Sequence, residues 1–334
     1  MKKWLLMLLM VSMAGMILTP AGLAKEVGKG DIAFVDVSVL TVWAEPNLDR
    51  PIDAPAVSNP VDHWKWTTDM TYEEKLWLVG KLETQALYGM KVNVLEEAGD
   101  WVKISVEGQP TPREESGYPG WVPKVQLTNN ERLEDLSNRP FATVTVPTAS
   151  LYEDRALSKE FMEVSFNTRL PVMAEQGNKV LVATPADGNK WFDLADIEIY
   201  ESEQDIPKPT ADDLLATGEL FLDLPYLWAG VSGFGFDCSG FTHTIYKAHG
   251  ITIPRDSSIQ AQHGTFVERE DLQKGDLVFF ARNNGTGAVH HVGMYIGEGK
   301  MIHSPNTAST VEIVVIDESS YASSYHSGRR YLEN

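Results

Sequence analysis

Cysteine is nearly absent from this sequence: Cys238 is the only one in 334 residues. That excludes an intrachain disulfide framework and any zinc or iron–sulfur site held by four thiolates. Basic residues are also scarce, 28 Lys and Arg against 47 Asp and Glu, for a formal net charge of −19. Nucleic-acid binding depends on Lys and Arg neutralising phosphates, so a phosphate-backbone ligand is excluded. Gly (26) and Pro (18) are near ordinary usage and 43% of residues are hydrophobic, which argues against collagen-like or disordered chains. Long apolar runs are missing as well. The one at residues 4–18 is short of the roughly 20 residues a membrane-spanning helix needs.

That short run has the flanks of a secretory signal. Lys2 and Lys3 precede it, and Gly22-Leu23-Ala24 ends in small residues suited to cleavage. A signal peptide over 1–24 is therefore expected, with the mature chain exported and no stable membrane anchor left after cleavage. No cysteine lies near the cleavage site, which excludes thioether lipidation. Exported proteins use cysteine mostly in pairs, so a lone one is either buried and inert or a reactive thiol.

At roughly 150 residues per domain the length predicts two or three domains. Residues 28–200 read as strands and contain an internal repeat. Met90-Lys91-Val92-Asn93-Val94-Leu95 aligns with Thr168-Arg169-Leu170-Pro171-Val172-Met173. Each copy continues into a second strand, 101–106 or 179–184, and closes on Trp121-Val122 or Trp191-Phe192. Two copies of one small β-barrel follow, over 25–135 and 136–204. The first copy carries two insertions, one with a helix expected over 71–82 and one ending in Glu114-Glu115-Ser116-Gly117-Tyr118-Pro119. Long loops in compact barrels are usually functional or flexible. Asp205-Ile206-Pro207-Lys208-Pro209 has the stiffness of a linker. From Thr210, a helix cap, the pattern mixes helices and strands, so 205–334 reads as an α+β domain.

Cys238 opens a helical pattern with apolar residues at Phe241, Ile245 and Ala248. Unpaired N–H groups and the dipole at a helix start favour negative charge, which predicts a lowered thiol pKa and a nucleophilic role. A thiol hydrolase also needs a base and a group that orients it. His291 and His303 lie on two strands joined by a short turn, twelve residues apart, an even spacing that allows one face. His290 competes with His291, but side-chain alternation lets only one of them face Cys238. His243, His249, His263 and His326 read as structural. His290, His291 and His303 lack a recognised metal-ligand spacing, so neither metal nor cofactor is expected.

Six ordered blocks within 210–334 resemble the NlpC family of bacterial cell-wall cysteine peptidases. They are Pro225-Tyr226-Leu227-Trp228-Ala229-Gly230, Asp237-Cys238-Ser239-Gly240, Pro254-Arg255-Asp256-Ser257-Ser258-Ile259-Gln260, Gly275-Asp276-Leu277-Val278-Phe279-Phe280, His291-Val292-Gly293-Met294-Tyr295-Ile296-Gly297 and Ile302-His303-Ser304. The preceding repeats resemble bacterial SH3-like barrels, and the whole is most similar to the YkfC-like γ-D-glutamyl-L-diamino acid endopeptidases. The resemblance implies a multidomain chain, two SH3-like β-barrels followed by a papain-like α+β domain. It implies Cys238 as nucleophile, His291 as base and His303 as the orienting residue, with the Cys238 N–H and Tyr226 hydroxyl binding the oxyanion. Two departures stand out: Ala229 replaces a common Gly, and Asp256 occupies a position where Thr is frequent.

The implied substrate is a peptidoglycan stem peptide cut between γ-D-Glu and meso-diaminopimelate or L-Lys, as a short muropeptide with a free N-terminal L-Ala. The implied location is the extracellular or cell-wall compartment of a bacterium. A free ammonium needs acceptors to replace its water. Asp256, Asp237, and Glu83 and Tyr118 from the first barrel's insertions are candidates, with Ser239, Ser257 and Trp228 as further substrate contacts. An amidase or acyltransferase using the same Cys–His pair is an alternative, as is a non-catalytic wall-binding protein. Residues 25–205 hold 17 basic and 32 acidic groups, which repels anionic wall polymers and favours substrate gating over anchoring.

Overall fold

The computed structural model describes residues 27–332; the segment read as a signal peptide lies outside them. Two seven-stranded antiparallel sheets come first, and they share one topology. In space the first runs Leu82–Leu87, Val39–Trp43, Tyr118–Pro123, Trp101–Val106, Lys91–Ala98, Ile32–Val35, Leu127–Thr128. The second runs Glu160–Ser165, Thr148–Tyr152, Asn189–Asp193, Lys179–Ala183, Arg169–Gln176, Phe141–Val144, Ile197–Tyr200, strand for strand in the same order. Both carry a register shift at the matching place, Val94/Glu96 in one and Val172/Ala174 in the other. Such bulges add the local twist that a small closed sheet needs. The cores follow strand alternation: Leu40, Val42, Val92, Ile104 and Val122 fill the first barrel, Leu151, Leu170, Val180, Val182 and Phe192 the second.

The insertions differ from expectation in two respects. The helix expected over 71–82 is Tyr72–Trp77, capped by Thr71 in a reciprocal box with Glu74. It ends early because Gly80 takes a left-handed φ of 72° and Leu82 begins a strand that pairs with Val39–Trp43. A second helix, His63–Asp69, was not legible as one. Its Trp66 packs with Trp43, Leu82 and Trp101 of the barrel and with Leu227 and Ala229 of the third domain.

The third domain holds helix Ala211–Glu219, helix Cys238–Ala248, the short helix Ser257–Gln260 and a six-stranded sheet. Sheet order is Thr265–Val267, Tyr325–Arg330, Leu277–Ala281, Val289–Gly297, Lys300–His303, Glu312–Val315, all antiparallel. Phe241, Ile245 and Tyr246 of the Cys238 helix pack on Phe279, Val292, Met294 and Ile302 of the sheet. Gly240 is required where that helix crosses the loop before it: a Cβ there would stand 2.0 Å from the Gly230 carbonyl oxygen. No helix among the described residues is long and apolar enough to cross a membrane.

Candidate active site

Cys238 is the first residue of its helix, and Asp237 is the cap. The Asp237 carboxylate accepts a hydrogen bond from Gly240 N–H at 2.6 Å and pairs with both terminal nitrogens of Arg255, at 2.7 and 3.1 Å. Arg255, 1% exposed, also donates to Ser239 Oγ at 3.0 Å and to Thr84 Oγ1 of the first barrel at 3.0 Å. A bidentate guanidinium whose Nε and second Nη1 donor are also hydrogen-bonded is the arrangement in which a buried ion pair is tolerable. It fixes the turn that presents Cys238. The carboxylate of Asp237 and the hydroxyl of Ser239 are therefore engaged inside the protein.

The thiol does not follow the helix-start expectation. Burial and then the adjacent Asp237 carboxylate push the Cys238 thiol up to about 12, against the opposing pull of Val292 N–H, Arg255 and Ser239 N–H. The cap is itself a carboxylate, and its charge opposes the pull of the helix dipole on the thiol. Burial and the charge of the cap thus favour the protonated thiol.

His291 and His303 share one face, as their even spacing allowed. His291 Nε2 and His303 Nδ1 are 2.7 Å apart, and both rings are buried. His290 points outward and is exposed, which resolves the one-residue ambiguity. Gly293 makes room: a Cβ there would meet Met301 Sδ at 2.7 Å and His303 Cβ at 3.3 Å. The cysteine sulfur lies against the backbone N–H of Val292, the residue after His291. Burial first, then the neighbouring His303 and His290, hold His291 well below the usual histidine range, and burial lowers His303 to about 4. Burial thus favours the neutral form of both imidazoles. With Nε2 turned to His303, Nδ1 is the nitrogen His291 has left for the thiol.

Tyr226 is buried, and burial followed by Cys238 raises its phenol well above 10, so it stays a hydrogen-bond donor. Ala229 sits at φ 66°, a left-handed conformation that explains why Gly is common there. Of the proposed substrate contacts, Glu83, Tyr118 and Asp256 come together across the domain boundary. Tyr118 donates its hydroxyl to the two Asp256 oxygens at 2.9 and 3.1 Å. Arg113 bridges the rest, 2.5 and 3.0 Å from Glu83 and 3.3 Å from the Tyr118 hydroxyl. Trp228 donates its indole N–H to Leu82 O at 3.0 Å, beside Glu83, and Ser257 starts the short helix that Asp256 precedes.

Sequence reasoning missed three neighbours. Arg255 lay inside a quoted block, but its pairing with Asp237 is a tertiary fact. Arg113 stands in the insertion with no motif around it. Tyr321 stacks on His291, ring centroids 4.3 Å apart and 17° from parallel, and meets His303 edge-on. Nothing in the local sequence singles it out. Among the described residues no group of three His, Cys, Asp or Glu is placed to hold a metal ion.

Residues 223–330 match the NlpC/P60 family, 144–200 the YKFC SH3b2 domain, and 80–127 the bacterial dipeptidyl-peptidase Sh3 domain. The chain is 55% identical over 309 residues to a γ-D-glutamyl-L-lysine dipeptidyl-peptidase of Bacillus cereus, covering 92% of this chain and 93% of that one. It is 41% identical over 286 residues to the protein of the same name in Bacillus subtilis, covering 85% and 93%. The crystal structure of an NlpC/P60 family protein from Bacillus cereus superposes with a TM-score of 0.88 at 55% identity, covering 91% of this chain and all of that one. Two like-folded SH3 barrels, a cysteine opening a helix over an antiparallel sheet, a buried histidine pair beside it and this degree of identity agree: the chain belongs to the NlpC/P60 family.

Proposed function

We propose that this protein is an exported cysteine peptidase that hydrolyses the γ-D-glutamyl bond to L-Lys or meso-diaminopimelate in peptidoglycan stem peptides carrying a free N-terminal L-Ala. The observation that carries the chemistry is the 2.7 Å contact between His291 and His303 on the strands beside Cys238. The identity to two γ-D-glutamyl-L-lysine dipeptidyl-peptidases over nearly the whole chain supports the bond that is cut.

Because thiol and imidazole both rest neutral, the reaction begins as general-base catalysis. His291 Nδ1 takes the thiol proton while the sulfur attacks the γ-carbonyl carbon. The oxyanion is received by the Cys238 N–H at the helix start and the Tyr226 hydroxyl, where one lost donor costs about 10²–10³ in rate. His291 then returns the proton to the departing amine. Water, deprotonated by His291, attacks the thioester and frees L-Ala-γ-D-Glu. His303 keeps the His291 ring oriented, and Tyr321 holds its face.

Asp256, Glu83 and Tyr118 form the receptor for the N-terminal ammonium. Arg113 already places a cation against Glu83, so an incoming ammonium competes with the guanidinium for that carboxylate. Trp228 and Ser257 are further substrate contacts in this reading, whereas the Asp237 carboxylate and Ser239 hydroxyl, both held by Arg255, act by fixing the turn that presents the thiol. The test is a parallel assay of L-Ala-γ-D-Glu-L-Lys and its N-acetyl form: strong preference for the free amine supports the reading, and equal cleavage refutes it.

A further inference from the structure

His303 has two ring nitrogens, and the contact with His291 accounts for only one. Its Nε2 is buried and makes no hydrogen bond among the described residues. Glu312 Oε1 stands 3.6 Å from it. The placement is built into the sheet: His303 and Glu312 are directly opposed partners on adjacent antiparallel strands, so their side chains share a face. His303 is 1% exposed at its side chain, whereas Glu312 is 47% exposed and free to turn. A small rotation of the carboxylate brings it within hydrogen-bond reach of Nε2.

A neutral histidine pair sharing one hydrogen bond has two tautomeric arrangements. In one, His291 Nε2–H donates to His303 Nδ1, so His303 carries its proton on Nε2 and His291 Nδ1 is a bare lone pair. In the other, His303 Nδ1–H donates to His291 Nε2, and His291 carries its proton on Nδ1. Only the first can accept a proton from Cys238. The second would also set the lone pair of His303 Nε2 against the Glu312 carboxylate, two acceptors facing each other.

We propose that Glu312 is a positioning residue: its carboxylate accepts a hydrogen bond from His303 Nε2–H and so selects the tautomer that leaves His291 able to act as a base. No proton passes to Glu312. Its charge also favours the imidazolium that forms on His291 during attack, relayed through the neutral His303 ring. The other groups facing the pair are the Tyr321 and Phe280 rings, Cys238 and, next to His291, His290. None of these offers an acceptor to His303 Nε2. The catalytic part rests on the cysteine-peptidase reading above, but the tautomer does not.

Long-range ¹H–¹⁵N NMR of the full chain with labelled histidine reads the His303 tautomer directly. The wild type should carry the proton on Nε2. Glu312→Ala and the isosteric Glu312→Gln should lose that preference and lower kcat by about tenfold with KM little changed, while Glu312→Asp restores part of both. An Nδ1-protonated His303 in the wild type overturns the proposal, as does an unchanged tautomer and kcat in the folded variants. If the wild type cleaves no γ-glutamyl peptide, the peptidase reading fails, while the NMR result still decides the tautomer.

Discussion

Tyr118 of the first barrel donates its hydroxyl to both carboxylate oxygens of Asp256 in the third domain, 138 residues further along the chain. The substrate receptor proposed above would thus be shared between domains, with the barrel insertion as part of it. Hydrogen bonds to charged groups contribute about 1.5–3 kcal/mol, or about 10- to 100-fold in binding. Tyr118→Phe and Asp256→Asn should each lower kcat/KM by that order on free-amine peptides and much less on N-acetylated ones. A uniform small effect on both substrates would speak against an ammonium receptor.

The resting protonation state makes a prediction of opposite sign to the usual thiolate–imidazolium pair. With the thiol pushed up to about 12, the thiolate fraction grows about tenfold per pH unit through the accessible range. Iodoacetamide inactivation of Cys238 should therefore keep accelerating between pH 7 and pH 10. Because His291 is held below its usual range, the acid-side loss of kcat/KM should fall below pH 6.5. An alkylation rate that plateaus from mildly acidic pH would contradict this state.

Arg255 and Asp237 form a buried pair whose loss on one side leaves an uncompensated charge. Removing one partner of such a pair costs about 3–5 kcal/mol. Arg255→Met should lower the melting temperature markedly and abolish activity by releasing the Cys238 turn. An unchanged melting temperature would show that the pair is not structural.

Asp36 offers a stability test remote from the site. Burial, then Asp187, raise its carboxyl from 3.8 to about 7, and its Oδ1 has no hydrogen-bond partner among the described residues. A carboxyl that binds its proton more tightly when folded contributes fully below about pH 3.8, and that contribution is lost as pH rises through about 7. Asp36→Asn should raise the melting temperature at pH 8 and hardly change it at pH 4. Equal shifts at both pH values would rule out the linkage.

Strand spacing carried the fold. The Met90 and Thr168 segments align because each ladder repeats the same alternation and the same bulge, and the two sheets have one strand order. The His63–Asp69 helix escaped because its buried face is His63, Trp66 and Thr67, two polar residues in three, while Trp64 is exposed, so no apolar stripe marks it in the sequence. Cys238 was legible from the helix start, and strand parity allowed His291 and His303 to share a face, but their selection among eight histidines came from the motif resemblance. Arg255, Tyr321 and Glu312 were not legible, since each acts through a partner that only the tertiary fold supplies. The thiol's acidity was misjudged for a related reason: the helix end argues one way, but burial and the Asp237 charge outweigh it.

The most direct test of the central claim is fragment identification on a defined peptide. L-Ala-γ-D-Glu-L-Lys-D-Ala is incubated with the wild type and with Cys238→Ala, and the products are resolved by mass spectrometry. The account predicts L-Ala-γ-D-Glu and L-Lys-D-Ala from the wild type and no products from a folded Cys238→Ala. Release of a terminal alanine instead, or retained turnover without the thiol, would contradict it.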